Sequence, residues 1–213
     1  MGGAPGQIVI LNGAPRSGKS SIAKVIQEGF AGPWMNFGVD IFVRDMTPPR
    51  YQPGIGLRPG GERPDLEPLL PIFYGALYES IAAHSRLGIN VVTDIGHHDA
   101  YSKPQHILSA CARRLAGLPV LFVGVRCSLE VIMARRRAEP AGREGQYVTA
   151  ASDEPVPAPV LAWQEAVHNP GVYDLEIDTS SLSAEVCADI IRERLRVGVP
   201  TPTAFERLAQ TEV

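Results

Sequence analysis

The sequence predicts an α/β fold in which a parallel sheet of about five strands lies between two layers of helices, with an added lid segment. Three observations predict it. Apolar runs rich in β-branched residues alternate with stretches of helical periodicity, the pattern of parallel βαβ units. A glycine-rich loop follows the first of these runs and leads into a helix. The 213 residues show no internal repeat and no second domain boundary, so residues 1–213 are expected to form one domain, with a core over about 7–197, a lid over about 136–158 and a tail over about 199–213.

The glycine-rich loop matches the pattern G-x-x-x-x-G-K-[ST] and reads Gly13-Ala14-Pro15-Arg16-Ser17-Gly18-Lys19-Ser20. Its glycines let successive N–H groups point inward, and the following helix adds the positive end of its dipole. In this pattern Lys19 reaches the β- and γ-phosphates and the Ser20 hydroxyl holds Mg²⁺. We therefore predict a three-layer P-loop NTPase fold in which residues 13–21, including Ser21, bind a nucleotide.

The remaining elements follow in chain order. Strands are predicted from short apolar runs at residues 7–12, 35–39, 89–94, 120–125 and 172–177. Helices are predicted from apolar periodicity at residues 19–30, 41–46, 71–87, 103–115, 128–137, 159–168 and 183–197. Ser128 and Ser183 are the expected N-caps of two of these helices. The tail from Pro200 onward is expected to be loose.

Residues 47–68 are crowded with proline and glycine and cannot form a regular element. A loop of this length in a compact domain is usually functional or disordered. Because it follows Asp40 closely, we predict a substrate-covering loop.

Asp40 ends the second extended segment, and ligands in such sheets bind beyond the carboxyl ends of strands. A carboxylate there could accept the proton of an attacking hydroxyl, although an N-cap for the next helix is also possible. Trp34 and Phe37 lie close to Asp40 in the sequence and are assigned to the same substrate pocket, with simple packing as the alternative for Trp34.

Asp94 ends the third predicted strand, as a Walker B carboxylate would, and could hold Mg²⁺ through water or touch the substrate. His97, His98 and Asp99 follow it. Adjacent residues rarely converge on one ion, so we assign His97 to a substrate-contacting loop rather than to a metal site.

Arginines cluster around the predicted lid, with Arg135, Arg136 and Arg137 at a helix end and Arg143 shortly after. A helix C-terminus favours one cation but does not require three. We predict that Arg136 and Arg143 clamp the phosphates during transfer. Asp178 and Thr179 follow the last strand, where a nucleotide base could lie, although a simple turn is equally compatible with them.

The composition excludes several other classes. A net charge of −3 provides no basic field for nucleic acid, and no apolar run is long enough to span a bilayer. Cys111, Cys127 and Cys187 are too few and too far apart for a disulfide framework, which favours a reducing cytoplasm. Whether the chain forms a homo-oligomer is left open.

The chain resembles the chloramphenicol phosphotransferase-like family of P-loop kinases over about residues 7–197. The residues that carry the resemblance are Ile10-Leu11-Asn12-Gly13, Ser17-Gly18-Lys19-Ser20, Pro33-Trp34, Phe37-Gly38-Val39-Asp40, Val123-Gly124-Val125-Arg126-Cys127, Gln164, Val167-His168, Tyr173-Asp174, Glu176 and Asp178-Thr179. The resemblance implies ATP as phosphoryl donor, Mg²⁺ on Ser20, Asp40 as general base, and stabilisation of the transferred group by Lys19 and Arg136. The family's type activity phosphorylates a primary hydroxyl of chloramphenicol, which inactivates the antibiotic.

The sequence departs from the family where a substrate would be covered. The family lid carries R-x-x-x-R-x-x-R; here Arg136 and Arg143 match its ends but Pro140 stands in the middle. Residues 47–68 and 144–158 also diverge. We therefore expect an ATP-dependent O-phosphotransferase with a small hydroxylated acceptor, which could be chloramphenicol, a related antibiotic, another metabolite or a nucleotide sugar. A nucleotide-binding protein without group transfer is the alternative from another class; the base-reading N-K-x-D motif of a GTPase switch is absent.

Overall fold

The computed structural model describes residues 3–138, 150 and 154–211, and within them five strands form one sheet. The strands are β1 (Ile8–Asn12), β2 (Trp34–Asn36), β3 (Asn90–Ile95), β4 (Val120–Arg126) and β5 (Leu175–Asp178). Their order is β2-β3-β1-β4-β5, and every neighbouring pair is parallel. This confirms the predicted parallel sheet of about five strands.

Helices cover both faces of the sheet. They are α1 (Lys19–Gly29), α2 (Val39–Ile41), α3 (Leu70–Arg86), α4 (Ile107–Arg114), α5 (Leu129–Arg137), α6 (Ala158–Ala166), α7 (Ala184–Val197) and α8 (Ala204–Ala209). The central strand β1 shows the layering, because successive side chains point to opposite faces. Ile8 and Ile10 join the core formed with α3, α4 and α8, whereas Val9 and Leu11 join the core formed with α1 and α7.

One strand boundary changes the position of a site residue. The extended segment predicted over 35–39 ends at Asn36, and Asp40 lies in α2 rather than at a strand end. The Asn36 side-chain oxygen accepts the Gly38 N–H at 2.9 Å, and the Gly38 carbonyl then accepts the N–H groups of Ile41 and Phe42. The chain therefore turns into a helix before it reaches Asp40. It continues as a π-helical turn over Phe42–Met46.

Smaller boundary errors occur elsewhere. The helix predicted from residue 103 begins at Ile107, because the Asp99 carboxylate accepts the N–H groups of Gln105 and His106 and holds that stretch outside the helix. Strand β3 continues one residue past Asp94, and β5 begins at Leu175 rather than at residue 172. The predicted N-caps Ser128 and Ser183 are confirmed, each accepting a backbone N–H three residues on.

The prediction of a loose tail is wrong, because α8 packs against the sheet. Phe205 is 3% exposed and lies edge-to-face on Phe122 of β4, with ring centroids 5.0 Å apart. Thr203 and Glu206 form a capping box at the start of the helix. Apolar burial and this cap together hold the segment in place.

Residues 47–68 contain two short 3₁₀ turns, Pro49–Tyr51 and Gly54–Gly56, and a third, Glu67–Leu69, begins at the end of the segment. The segment is attached to the rest of the domain at several points. The Tyr74 hydroxyl donates to the Ile55 carbonyl at 3.1 Å, and the buried Glu67 carboxylate accepts the Ser102 N–H at 3.0 Å. These contacts hold the segment against α3 and against the loop that follows β3.

Among the helices of the described residues, none combines the length and apolar character needed to cross a bilayer.

Candidate active site

The P-loop connects the carboxyl end of β1 to the first turn of α1. Gly18 has φ of 94°, a left-handed conformation that suits glycine, and stands immediately before Lys19 at the helix start. Gly13 is required for a different reason: a methyl group on it would lie 2.5 Å from the carbonyl oxygen of Val125 in β4. The loop can therefore curl over the sheet edge only with glycine at both positions.

Lys19 lies along the inside of this loop. Its Nζ donates to the carbonyl oxygens of Gly13 and Ala14, each at 2.8 Å. Burial of the ammonium group lowers the pKa of Lys19 to about 8, although the nearby carboxylates of Asp94 and Asp40 act in the opposite direction. The two carboxylates are therefore close enough to influence the lysine electrostatically, and all three side chains line one cleft.

Ser20 and Asp94 meet across the loop. The Ser20 hydroxyl donates to Asp94 Oδ2 at 2.5 Å, and both residues line the cleft. A methyl group at Gly38 would lie 2.1 Å from Asp94 Oδ1, so the close approach of β2's loop depends on glycine there. A hydroxyl and a carboxylate in contact are hard oxygen donors, and Mg²⁺ commonly takes only one or two protein ligands beside phosphate oxygens and water. The donor set fits Mg²⁺.

Asp40 lies in the first turn of α2, two residues after Gly38, which occupies the N-cap position. The alternative role of Asp40 as an N-cap is thereby excluded. Its half-buried side chain lines the same cleft as Lys19, Ser20 and Asp94. The structure brings together the four residues whose chemistry the sequence singled out.

The three consecutive arginines of α5 point in different directions, as successive helical residues must. Arg136 is 4% exposed and lines the cleft. Arg135 connects the P-loop to the loop after β5. Its guanidinium donates to the Arg16 carbonyl at 3.2 Å and to the Thr179 carbonyl at 2.7 Å. Arg137 is exposed. Arg143 and Pro140, which belong to the predicted lid, lie outside the described residues.

The loop after β5 is attached to the P-loop. The Thr179 hydroxyl donates to the Ser17 carbonyl at 2.6 Å, and the Thr179 backbone N–H donates to the Arg126 carbonyl at 3.0 Å. Asp178 is the last residue of β5 and accepts the Ser180 N–H at 2.8 Å. Arg16 also lines the cleft and donates through its guanidinium to the Arg135 carbonyl at 3.1 Å.

The other residues assigned to the nucleotide site belong to the P-loop and the first turn of α1. Ala14 and Ser17 are buried beneath it, Pro15 lines the cleft, and Ser21 is an exposed residue of α1.

Three residues assigned to the substrate do not line the cleft. Trp34 is 5% exposed and packs edge-to-face on Phe30 in the core beside α1. Phe37 packs on His84 of α3. His97 is 2% exposed, stacks on Tyr74, and has its Nε2 2.7 Å from the Tyr78 hydroxyl.

Burial lowers the pKa of His97 to about 3, so its imidazole stays neutral at physiological pH. The directions of the Trp34, Phe37 and His97 side chains depend on how β2 and β3 continue into their loops, which the sequence pattern alone did not show. Among the described residues, no group of three or more His, Cys, Asp or Glu side chains forms a metal cluster.

The rest of the cleft lining comes partly from residues 47–68, the segment predicted to cover the substrate, and partly from residues that the sequence did not single out. Its apolar members are Val39, Val43, Pro53, Ile55, Pro159, Val160 and Trp163, and its charged members are Arg58, Glu62 and Arg63. Trp163 of α6 approaches Gly96 so closely that a methyl group there would lie 3.0 Å from the indole ring. The cleft has a volume of about 590 Å³, within the range of small-molecule sites.

Asn12 is another residue to which the sequence analysis assigned no role. Its side-chain nitrogen donates to the Val167 carbonyl at 2.8 Å and the Tyr173 hydroxyl at 2.9 Å, and its oxygen accepts the His97 N–H at 2.7 Å. These bonds join the end of β1 to α6 and to the loop after β3. The only signal in the sequence is a polar residue at the end of an apolar strand, directly before the P-loop.

Comparison with known proteins agrees with this geometry. The family model described as chloramphenicol phosphotransferase-like protein matches residues 6–196. A protein provisionally described as an O-phosphotransferase in Mycobacterium tuberculosis is 29% identical over 98% of this chain and 90% of its own.

Solved structures of kinases share the fold at low sequence identity. An unliganded sugar kinase from a Janibacter species has a TM-score of 0.58 at 18% identity, covering 91% of this chain and 96% of its own. The APS kinase of Mycobacterium tuberculosis has a TM-score of 0.53 at 17% identity, covering 91% and 99%. With the family match across nearly the whole domain, this protein belongs to the chloramphenicol phosphotransferase-like protein family and has the fold of the P-loop kinases.

Proposed function

We propose that this protein is a Mg²⁺-dependent kinase that transfers the γ-phosphoryl group of ATP to a hydroxyl group of a small molecule. One observation carries the proposal: Lys19, Ser20, Asp40 and Asp94 line a single cleft. A P-loop alone would support nucleotide binding only. The Asp40 carboxylate in the same cleft, close enough to act on Lys19 electrostatically, adds a group that can accept the acceptor's proton.

The P-loop side would hold the donor. Backbone N–H groups of the loop and the start of α1 favour phosphate oxygens, and Lys19 would exchange its two carbonyl partners for the β- and γ-phosphates. Ser20 and Asp94 would hold Mg²⁺, which when bound neutralises charge on the phosphate oxygens.

The Asp40 side would activate the acceptor. As the acceptor oxygen forms its bond to the γ-phosphorus, its proton passes to the Asp40 carboxylate. The bond from the γ-phosphorus to the bridging β-phosphate oxygen breaks, and its electron pair leaves with ADP. Lys19 and Arg136 would stabilise the negative charge on the transferring group.

The nature of the acceptor follows from the size and walls of the cleft. A volume of about 590 Å³ with apolar side chains such as Val39, Ile55 and Trp163 suits a small organic molecule. The O-phosphotransferase description of the mycobacterial relative supports an oxygen acceptor. Chloramphenicol is the first candidate because of the family description, and other hydroxylated metabolites are the second.

An ATP-consumption screen over hydroxylated antibiotics and metabolites tests this function. We expect at least one compound to stimulate ADP formation by the wild-type protein and to appear as a phosphomonoester by mass spectrometry. Lys19→Ala should remove this activity. Lys24→Ala is the matched control, since Lys24 is an exposed residue of the same helix that pairs with Glu28 at 3.9 Å. A phosphorylated product that Lys19→Ala forms at the wild-type rate would contradict the proposal.

A further inference from the structure

The cleft contains an arginine that the transfer mechanism leaves unused. Arg58 belongs to residues 47–68 and lines the same cleft as the P-loop residues Lys19 and Ser20. Its side chain is 47% exposed, and its one ion-pair contact among the described residues is Nε to Glu62 Oε2 at 4.0 Å. That distance is beyond hydrogen-bond range. The two Nη groups form no hydrogen bond with any described residue.

Arg63, the other arginine of residues 47–68 that lines the cleft, is already engaged. Its Nε and Nη2 donate to the two carboxylate oxygens of Asp65 at 2.9 and 2.8 Å, and its Nη1 reaches the Gln52 carbonyl at 3.4 Å. A guanidinium paired in this bidentate way has little to offer a ligand. The contrast singles out Arg58.

The backbone around Arg58 is held in place. The Leu57 carbonyl accepts from His98 Nε2 at 2.9 Å, and the Gly60 N–H donates to the Ala100 carbonyl at 2.8 Å. The Arg58 N–H itself donates to Glu62 Oε1 at 3.1 Å. Glu62 therefore accepts a hydrogen bond from the backbone of Arg58, while the two Nη groups of the Arg58 guanidinium remain available as donors.

We infer that the acceptor carries an acidic group, a carboxylate or a phosphate, which the Nη groups of Arg58 bind. The inference rests on the proposed function, since it names the class of the acceptor. The apolar side chains of Val43, Ile55 and Trp163 line the same cleft as Arg58 and the phosphoryl-transfer residues. Among the acceptors considered for the proposed function, this inference places hydroxylated acids with a partly apolar body ahead of neutral alcohols such as chloramphenicol.

Titration calorimetry on the protein loaded with Mg²⁺ and AMPPNP tests this assignment, because the bound analogue blocks the P-loop as an alternative anion site. The probes are ω-hydroxyalkanoates of increasing chain length, each matched with its neutral primary amide. A second set carries a phosphonate in place of the carboxylate and distinguishes the two acidic groups.

We expect the acids of at least one chain length to bind more tightly than their amides, by a factor on the order of ten or more, as for hydrogen bonds to a charged group. Arg58→Gln should remove this preference and Arg58→Lys should retain part of it. Arg50→Gln is the matched control, because Arg50 is exposed on the same segment, lies over the Tyr51 ring and does not line the cleft. Glu62→Gln should strengthen binding of the acids.

The assignment is overturned if acids and amides bind alike, if no probe binds, or if the preference survives Arg58→Gln in a protein with wild-type thermal stability. Because binding is measured without turnover, the proposed function can fail separately: acids would then bind through Arg58, yet no acceptor would receive a phosphoryl group from ATP.

Discussion

Lys19 has an unusual environment for a lysine in the first turn of a helix. Its ammonium group donates to two carbonyls of its own loop, and burial lowers its pKa from 10.5 to about 8. A triphosphate would favour the protonated form strongly. Nucleotide binding should therefore be linked to the protonation of this one residue.

We predict that nucleotide affinity falls as pH rises through about 8, the pKa of Lys19 in the free protein. One pH unit below that value Lys19 is already charged, and binding takes up almost no proton. One unit above it the free lysine is neutral, so binding must take up nearly one proton and affinity should fall by about tenfold per unit. Calorimetry of AMPPNP binding in buffers of different ionisation enthalpy measures the uptake. Equal affinity and no uptake on the alkaline side would contradict the role of Lys19.

Gly38 controls the carboxylate of Asp94 through space alone. In Gly38→Ala the new methyl group would lie 2.1 Å from Asp94 Oδ1, so the carboxylate must change position, which disturbs the contact of its Oδ2 with Ser20. We expect weaker Mg²⁺-dependent nucleotide binding, by on the order of tenfold, because second-shell changes at metal sites have effects of this size.

Gly29→Ala is the control for Gly38→Ala, since a methyl group at Gly29 would lie 3.9 Å from Arg192 Nη2, an ordinary van der Waals distance. The Mg²⁺ dependence of AMPPNP binding, followed by titration, separates the two variants. If Gly38→Ala keeps the wild-type Mg²⁺ dependence, the metal assignment of Asp94 is wrong.

Among the elements, two features were not predicted: the contacts that hold residues 47–68, which line part of the cleft, and the helix α8. The helix is short, but its capping signal Thr203-x-x-Glu206 and its apolar Phe205 and Leu208 were present in the sequence. The fixed position of residues 47–68 had no such signal, because the Tyr74 and Ser102 side of each contact lies far away in the chain.

Phe205→Ala should lower the free energy of unfolding by about 3–5 kcal/mol, the usual cost of emptying a buried phenylalanine site. Phe205 is 3% exposed and contacts Phe122 and Tyr78. The control Val197→Ala changes a residue that is 65% exposed and should alter the free energy of unfolding little. Urea unfolding of both variants checks this, and an unfolding free energy of Phe205→Ala equal to that of the wild type would show that α8 contributes nothing to the core.

Glu67→Gln should loosen the segment that carries Arg58 without touching the P-loop. The Glu67 carboxylate accepts the Ser102 N–H through both oxygens, at 3.0 and 3.2 Å. We expect KM for the acceptor to rise by roughly tenfold, given the cost of a lost buried charge-assisted hydrogen bond, while the Kd for AMPPNP is unchanged. Glu79→Gln removes only an exposed ion pair with Arg114 and is the control. An equal rise in both constants would place the effect outside the segment that carries Arg58.

At the scale of the whole molecule, the sheet order brings distant segments to one edge. Neighbours β3 and β4 pair with β1 on either side, so Asp94 and the P-loop meet at the carboxyl ends of the strands. This much was predictable, because the P-loop motif and a strand followed by a carboxylate are local patterns. The position of Asp40 in a helix, the cleft face of Trp163 and the contribution of Arg58 were not predictable, because they depend on side-chain directions set by tertiary packing.

In the proposed reaction, the P-loop residues and Asp40 act together in phosphoryl transfer, with Asp40 accepting the acceptor's proton. The most direct test compares Asp40→Asn with Asp45→Asn, because Asp45 is an exposed aspartate in the following π-helical turn, paired with Arg44 at 2.8 Å. For the acceptor found in the screen, Asp40→Asn should lower kcat by about 10²–10⁴-fold, the usual contribution of a general base, with AMPPNP affinity close to that of the wild type. Asp45→Asn should leave both quantities unchanged. If Asp40→Asn turns over at the wild-type rate, the cleft does not work in this way.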